Sequence, residues 1–99
     1  MFLASLDDTV IAKSKDCLII ENNVYFPEND VIAEYLFQTE TATRCPWKGM
    51  ATYFDIKIME NFVKDGAWSY LRPKSKAKRI RGHIAFWKEV VVKELQASQ

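Results

Sequence analysis

The sequence predicts a mainly β, single-domain protein (residues 1–99) of antiparallel, sandwich-like or barrel-like build. Three observations carry that prediction. Short runs rich in β-branched and aromatic residues, about seven of them, recur at close intervals. The longest, 50–59, alternates cleanly: Thr52, Phe54, Ile56 and Ile58 fall on one face, Ala51, Tyr53, Asp55 and Lys57 on the other. A single stretch, 29–37, places apolar residues at helical spacing.

Taken in order, 8–13 and 17–21 read as strands, bounded by Ser, Lys and Asp and by Asn22-Asn23. Asn tolerates left-handed backbone angles, so this pair makes a tight turn into a third strand, 24–26, which stops at Pro27. The helical stretch follows. Asn29 or Asp30 caps it, Val31, Ile32, Tyr35 and Leu36 form its apolar stripe, and it ends near Phe37. Residues 38–43, polar and rich in hydroxyls, read as a surface loop. Pro46 then holds Cys45 in extended backbone, and Gly49 permits a turn or a close approach.

After the long strand, 62–63 and 67–71 form the return strand, interrupted at 64–66 and stopped by Pro73. Trp68 and Tyr70 stand two apart and therefore share a face. The basic run 74–81 suits a helical turn closed by Gly82. Residues 83–87 and 90–95 read as two strands joined by Lys88-Glu89 in a hairpin, and 96–99 as a frayed tail.

Composition narrows the functional classes. No apolar run approaches the roughly 18–20 residues of a membrane span, and 1–6 lacks the cationic start of a signal peptide, so a cytoplasmic protein is expected. Cys17 and Cys45 are too few for a disulfide framework and suit a reducing compartment. Net charge is +1, yet residues 1–43 balance at −6 and residues 44–99 at +7. Two halves of opposite sign neutralise each other in one domain, which argues against nucleic acid as the partner. A homo-oligomer is compatible with all of this.

The chemistry concentrates in 43–49, where Arg44 and Lys48 flank Cys45 and Trp47. Neighbouring cations favour a thiolate, so Cys45 is either an activated nucleophile or redox thiol, or a small buried residue. His83 is the sole histidine and thus the available partner for a Cys–His pair. Metal-ligand spacings such as Cys-x-x-Cys or His-x-x-x-His do not occur, and neither a metal nor a cofactor is expected. Trp47, Tyr53, Trp68, Tyr70 and Trp87 either line a flat-walled cleft for a planar or cationic ligand or form the core. The 74–81 run either grips phosphate or is a solvated face. No glycine-rich phosphate loop is present.

Tyr25-Phe26-Pro27, the run Cys45-Pro46-Trp47-Lys48-Gly49-Met50-Ala51-Thr52-Tyr53, then Ala67-Trp68-Ser69-Tyr70, Pro73 and Ile80-Arg81-Gly82-His83-Ile84-Ala85-Phe86-Trp87 carry a resemblance. In order and spacing the chain resembles the small bacterial proteins called domain of unknown function 427, also labelled nucleotidyltransferase-like. That resemblance implies a β-tent: a pair of antiparallel sheets leaning together, with one short helix alongside. Similar tents occur in Mss4-like proteins, methionine sulfoxide reductase B and the ligand-binding domain of cereblon. The zinc of those relatives rests on paired Cys-x-x-Cys motifs that this sequence lacks, so it is not carried over.

Three functional readings stand side by side. The first is a binding module that takes a small molecule or nucleotide-like ligand, held by Arg44, Cys45, Trp47, Lys48, Tyr53, Trp68, Tyr70 and Arg72. The second is an enzyme, with Cys45 as a nucleophile or redox thiol that His83 could partner, or with Lys48, Tyr53 and Asp55 acting on a phosphorylated or nucleotide substrate. The third is a protein-interaction subunit that adds a partner strand at a sheet edge.

Overall fold

The computed structural model describes residues 1–96, and nine strands run through them. They are β1 (Phe2–Leu6), β2 (Thr9–Ser14), β3 (Leu18–Ile20), β4 (Asn23–Tyr25), β5 (Leu36–Cys45), β6 (Gly49–Ile58), β7 (Asn61–Ser69), β8 (Ile84–Phe86) and β9 (Val91–Glu94). All pair antiparallel. Two main sheets, β5-β6-β7-β8 and β2-β1-β9, face each other, and the hairpin β3-β4 forms a third. The hairpin extends the larger sheet past β8: Phe26 and Ile84 exchange both backbone hydrogen bonds, each 2.8 Å. The fold is therefore mainly β. Its helical content is 3-10, and the longest stretch, Ser75–Ile80, is two short turns that meet at a kink at Ala77.

Alternation along the strands of the larger sheet builds a core on each of its faces. Phe54, Ile56, Ala67, Ile84 and Phe86 turn one way and meet Ala4, Leu6 and Ile11 of the smaller sheet. Ala51, Tyr53, Trp68, Tyr70 and Ala85 turn the other way and meet Ile20, Tyr25, Ala77 and Ile80. The faces assigned to 50–59 from its alternation are those observed. The turn expected at Asn22-Asn23 lies one residue earlier: Glu21 and Asn22 make it, at φ +55° and +67°, and Asn23 already pairs with Ile20 as the first residue of β4. No helix of the described residues is long and apolar enough to cross a membrane.

Several local expectations are corrected. Residues 29–37 do not form a helix. Two single 3-10 turns, Glu28–Asp30 and Ala33–Tyr35, flank Val31, and β5 starts at Leu36. Val31 pairs with Ala12, and the Ile32 N–H donates to the Ile11 carbonyl at 2.8 Å. A backbone bond to β2 thus takes the place of the next helical one, and neither turn has a side-chain cap. Residues 38–43 are not a loop but the middle of β5, a strand whose alternating threonines are polar rather than apolar.

Residues 83–87 and 90–95 are not a hairpin either. β8 pairs with β7, while β9 crosses to the other sheet and pairs with β1. The strand at 2–6, absent from the sequence reading, is the centre of that smaller sheet. The tail expected to fray lies, from residue 97 onward, outside the described residues.

The interruption foreseen at 64–66 is a bulge. Val63 stands opposite Ile56 and Ala67 opposite Phe54, so Lys64, Asp65 and Gly66 face Asp55 alone. A methyl group at Gly66 would lie 2.7 Å from Val63 Cγ1 and 2.8 Å from Ile56 Cδ1, both core side chains. Gly66→Ala is therefore expected to lower stability by about 1–3 kcal/mol through overpacking. Chemical denaturation measures this, and an unchanged midpoint would contradict it.

Candidate functional site

The second core is not closed over its aromatic residues. A cavity of about 260 Å³ opens among Asn23, Tyr25, Lys48, Tyr53, Trp68, Tyr70 and Trp87. The strands deliver these side chains by register. Tyr53 on β6 stands opposite Trp68 on β7, and Trp68 opposite Ala85 on β8. Alanine at that position leaves room beside the indole, and Trp87, just past β8, packs against it edge to face with centroids 5.5 Å apart. Tyr53 lies 6.5 Å from Trp68 and 6.3 Å from Trp87, tilted to both. Tyr25 meets Trp68 edge-on at 6.2 Å. All four centroid distances fall in the range of aromatic contact, and the two edge-to-face pairs, Tyr25–Trp68 and Trp68–Trp87, have the geometry that aromatic quadrupoles favour.

Polar contacts fix the rings. The Trp68 indole N–H donates to the Tyr25 hydroxyl at 3.3 Å, and the Tyr53 and Thr43 hydroxyls are 2.9 Å apart. The Trp87 indole N–H donates to the Asp65 carbonyl at 2.6 Å, so the bulge in β7 sets the orientation of that ring. Asp65 itself has φ +50°. It is held there by its carboxylate, which accepts from Thr39 and Thr41 at 2.7 Å each, and by its N–H, which donates to the Asp55 carboxylate at 2.8 Å. Those two threonine bonds hold the Asp65 pKa below its ordinary value.

Lys48 supplies the charge. It is 5 % exposed, and its ammonium pairs with Glu21, from the β3–β4 turn. The ammonium also lies 5.4 Å from the Trp47 ring centroid and 5.5 Å from that of Tyr70. Burial opposes the charge, but the bond to Glu21, aided by the nearby Tyr25, Tyr70 and Cys45, leaves the Lys48 pKa raised. Glu21, which also accepts from the Trp47 indole N–H at 3.3 Å, has its pKa lowered, first by Lys48 and then by Trp47. Burial pushes the Tyr70 phenol up to about 12 despite the adjacent ammonium, so it stays neutral and can donate. The cavity thus offers flat apolar walls, a fixed cation and phenolic donors.

The residues singled out from the sequence divide among several places. Lys48, Tyr53, Trp68 and Tyr70 converge on the cavity. Cys45 is half-buried against the same cluster. Trp47 is exposed and lines a separate recess with Pro46, Lys74, Ser75 and Lys76. Arg44 and Arg72 line a larger concavity of about 720 Å³ on the opposite face of the sheet. Asp55 is engaged with the Asp65 N–H, and His83 Nδ1 lies 3.1 Å from the Arg81 carbonyl.

Sequence reasoning did not place Tyr25, Asn23 or Glu21 at the site. They come from a hairpin that reaches the cavity through its bridge to β8 and its side-chain bonds to Lys48 and Trp68, and no local pattern encodes those contacts. Among the described residues, no three His, Cys, Asp or Glu side chains group as metal ligands.

Tyr25, Lys48, Tyr53, Trp68, Tyr70 and Trp87 line this cavity, and all six lie in the segments that carried the sequence resemblance. The model of the family described as Domain of unknown function (DUF427), labelled as an NTP transferase, matches residues 2–97. The chain belongs to the DUF427 family. A comparison with proteins of curated function finds no match. The DUF427 match spans both sheets and both cores, so the aromatic cavity lies wholly inside the family domain.

Proposed function

We propose that this DUF427 domain is a binding module that takes a planar, nucleotide-like small molecule into the aromatic cavity. The observation that carries this reading is the convergence of five aromatic side chains and one buried cation on a single opening. A cavity of about 260 Å³ suits one ring system rather than an extended ligand. Tyr53, Trp68 and Trp87 provide faces and edges for stacking, and Lys48, held by Glu21, meets an electron-rich carbonyl or an anionic substituent. The enzymatic alternatives have less support. Cys45 has no hydrogen-bonded base among the described residues, and the Asp55 carboxylate is already occupied.

The test is tryptophan fluorescence titrated with a panel of nucleobases, nucleosides and nucleotides. At least one member is expected to quench saturably. Cys45→Ser should leave its affinity unchanged, while Trp87→Ala should weaken binding by about 1–3 kcal/mol, the range for loss of one stacked aromatic. Equal affinity in Trp87→Ala would refute the cavity as the binding site. Mass spectrometry of ligand carried through native purification supplies the identity.

A further inference from the structure

We propose a second binding site on the face of the larger sheet turned away from the aromatic cavity, for an anionic amphiphile: a carboxylate on an aliphatic chain. Its outer part is the concavity lined by Arg44, Met50, Thr52, Leu71, Arg72 and Lys74. Met50 and Leu71 are 52 % and 41 % exposed there, apolar surface left uncovered beside three cations. No carboxylate lines this concavity. Lys48–Glu21 is the ion pair found among the described residues, so the Arg44 and Arg72 guanidiniums have no acidic partner. A guanidinium takes a carboxylate through two parallel hydrogen bonds, which a protein acid does not do here.

Leu71 also lines an adjoining, more enclosed chamber of about 220 Å³, walled by Val31, Leu36, Phe54 and Ile84. Ser69 lies at its floor. Its hydroxyl is fully buried and has no hydrogen-bond partner among the described residues. A buried hydroxyl beside an apolar chamber is an unpaired polar group that calls for a partner atom; an oxygen on the ligand chain would supply it and tighten binding beyond that of a plain saturated carboxylate such as decanoate. Glu28 also borders this chamber and disfavours an anion there, which sets the direction of the ligand. The chain passes Leu71, the residue common to both spaces, into the chamber, and the carboxylate stays outside with Arg44 and Arg72.

The site is separate from the aromatic cavity, because Ser69 and Thr52 point to the opposite side of the sheet from Trp68 and Tyr53. The experiment is an NMR titration of the full chain with decanoate, decanol or acetate, following backbone amides and tryptophan indole N–H signals. Decanoate is expected to bind saturably and to move the amides of Thr52, Phe54 and Leu71 while leaving the Trp68 and Trp87 indoles in place. Acetate, which lacks the chain, should not saturate. Arg72→Glu, at an exposed position, removes one attraction and adds a repulsion, so it should weaken decanoate by about tenfold or more and leave decanol unchanged. Failure of the nucleotide panel at the aromatic cavity would leave this result untouched. The site is overturned if decanol binds as tightly as decanoate, if Arg72→Glu retains full affinity, if the shifts centre on the indoles, or if no ligand saturates.

Discussion

Replacing Trp68 with alanine is expected to cost about 3–5 kcal/mol of stability, the range for deletion of a large buried aromatic. Trp68 is 9 % exposed and touches three other rings, so its removal opens a void between Tyr25, Tyr53 and Trp87. The fully buried Tyr25 also loses the indole N–H that its hydroxyl accepts. The loss is large against the roughly 5–15 kcal/mol that hold a domain folded, so Trp68→Phe is the companion variant. It keeps a ring in the cluster and should recover more than half of the lost stability. Urea unfolding of both variants measures the difference. An alanine variant within about 1 kcal/mol of the native protein would show that the ring is not packed as described. Ligand binding separates from folding in the phenylalanine variant: a folded protein with weakened quenching would locate the ligand on this wall.

The aromatic wall was legible because its residues obey a period of two within strands that the sequence marks clearly. Trp68 and Tyr70 share a face for that reason alone, and the 50–59 alternation placed Tyr53 beside them. What could not be read depends on pairing between distant segments. Arg44 and Arg72 lie close in sequence to the cavity residues Lys48 and Tyr70, but strand alternation and the turn after β7 send them to the far face. The expected helix at 29–37 failed because local spacing cannot reveal that Ile11 and Ala12 are waiting to pair with Val31 and Ile32. β5 was missed in its middle for a different reason. Thr39, Thr41 and Thr43 alternate as a strand should, but periodicity of hydroxyls carries no hydrophobic signal. Their purpose becomes visible only with Asp65 and Tyr53 opposite them.

Those threonines lead to the second large effect, at Asp65. Asp65→Ala is expected to destabilise the protein by about 3–4 kcal/mol, from two charge-assisted hydrogen bonds lost and a left-handed backbone that alanine tolerates poorly. The consequence should reach the cavity, because the Asp65 carbonyl anchors the Trp87 indole. A bulge that relaxes lets that ring turn, and ligand quenching should fall along with stability. The same carboxylate sets a pH dependence. Its pKa in the folded protein lies below the ordinary 3.8, so the unfolded chain takes up the proton first as the medium is acidified. The stabilising contribution is complete above 3.8 and is lost as the pH falls through the folded value. The native protein should therefore lose denaturant resistance on acidification below about pH 4, with Asp65→Asn showing a shallower loss over the same interval. Parallel slopes for the two proteins would mean that other carboxylates govern the acid response. Asp65→Asn also keeps an acceptor for one threonine and a residue type that accepts positive φ, so it should be less destabilised at neutral pH than Asp65→Ala. That ordering, native above asparagine above alanine, is what a charged hub in a strained bulge requires, and a merely space-filling residue would not produce it.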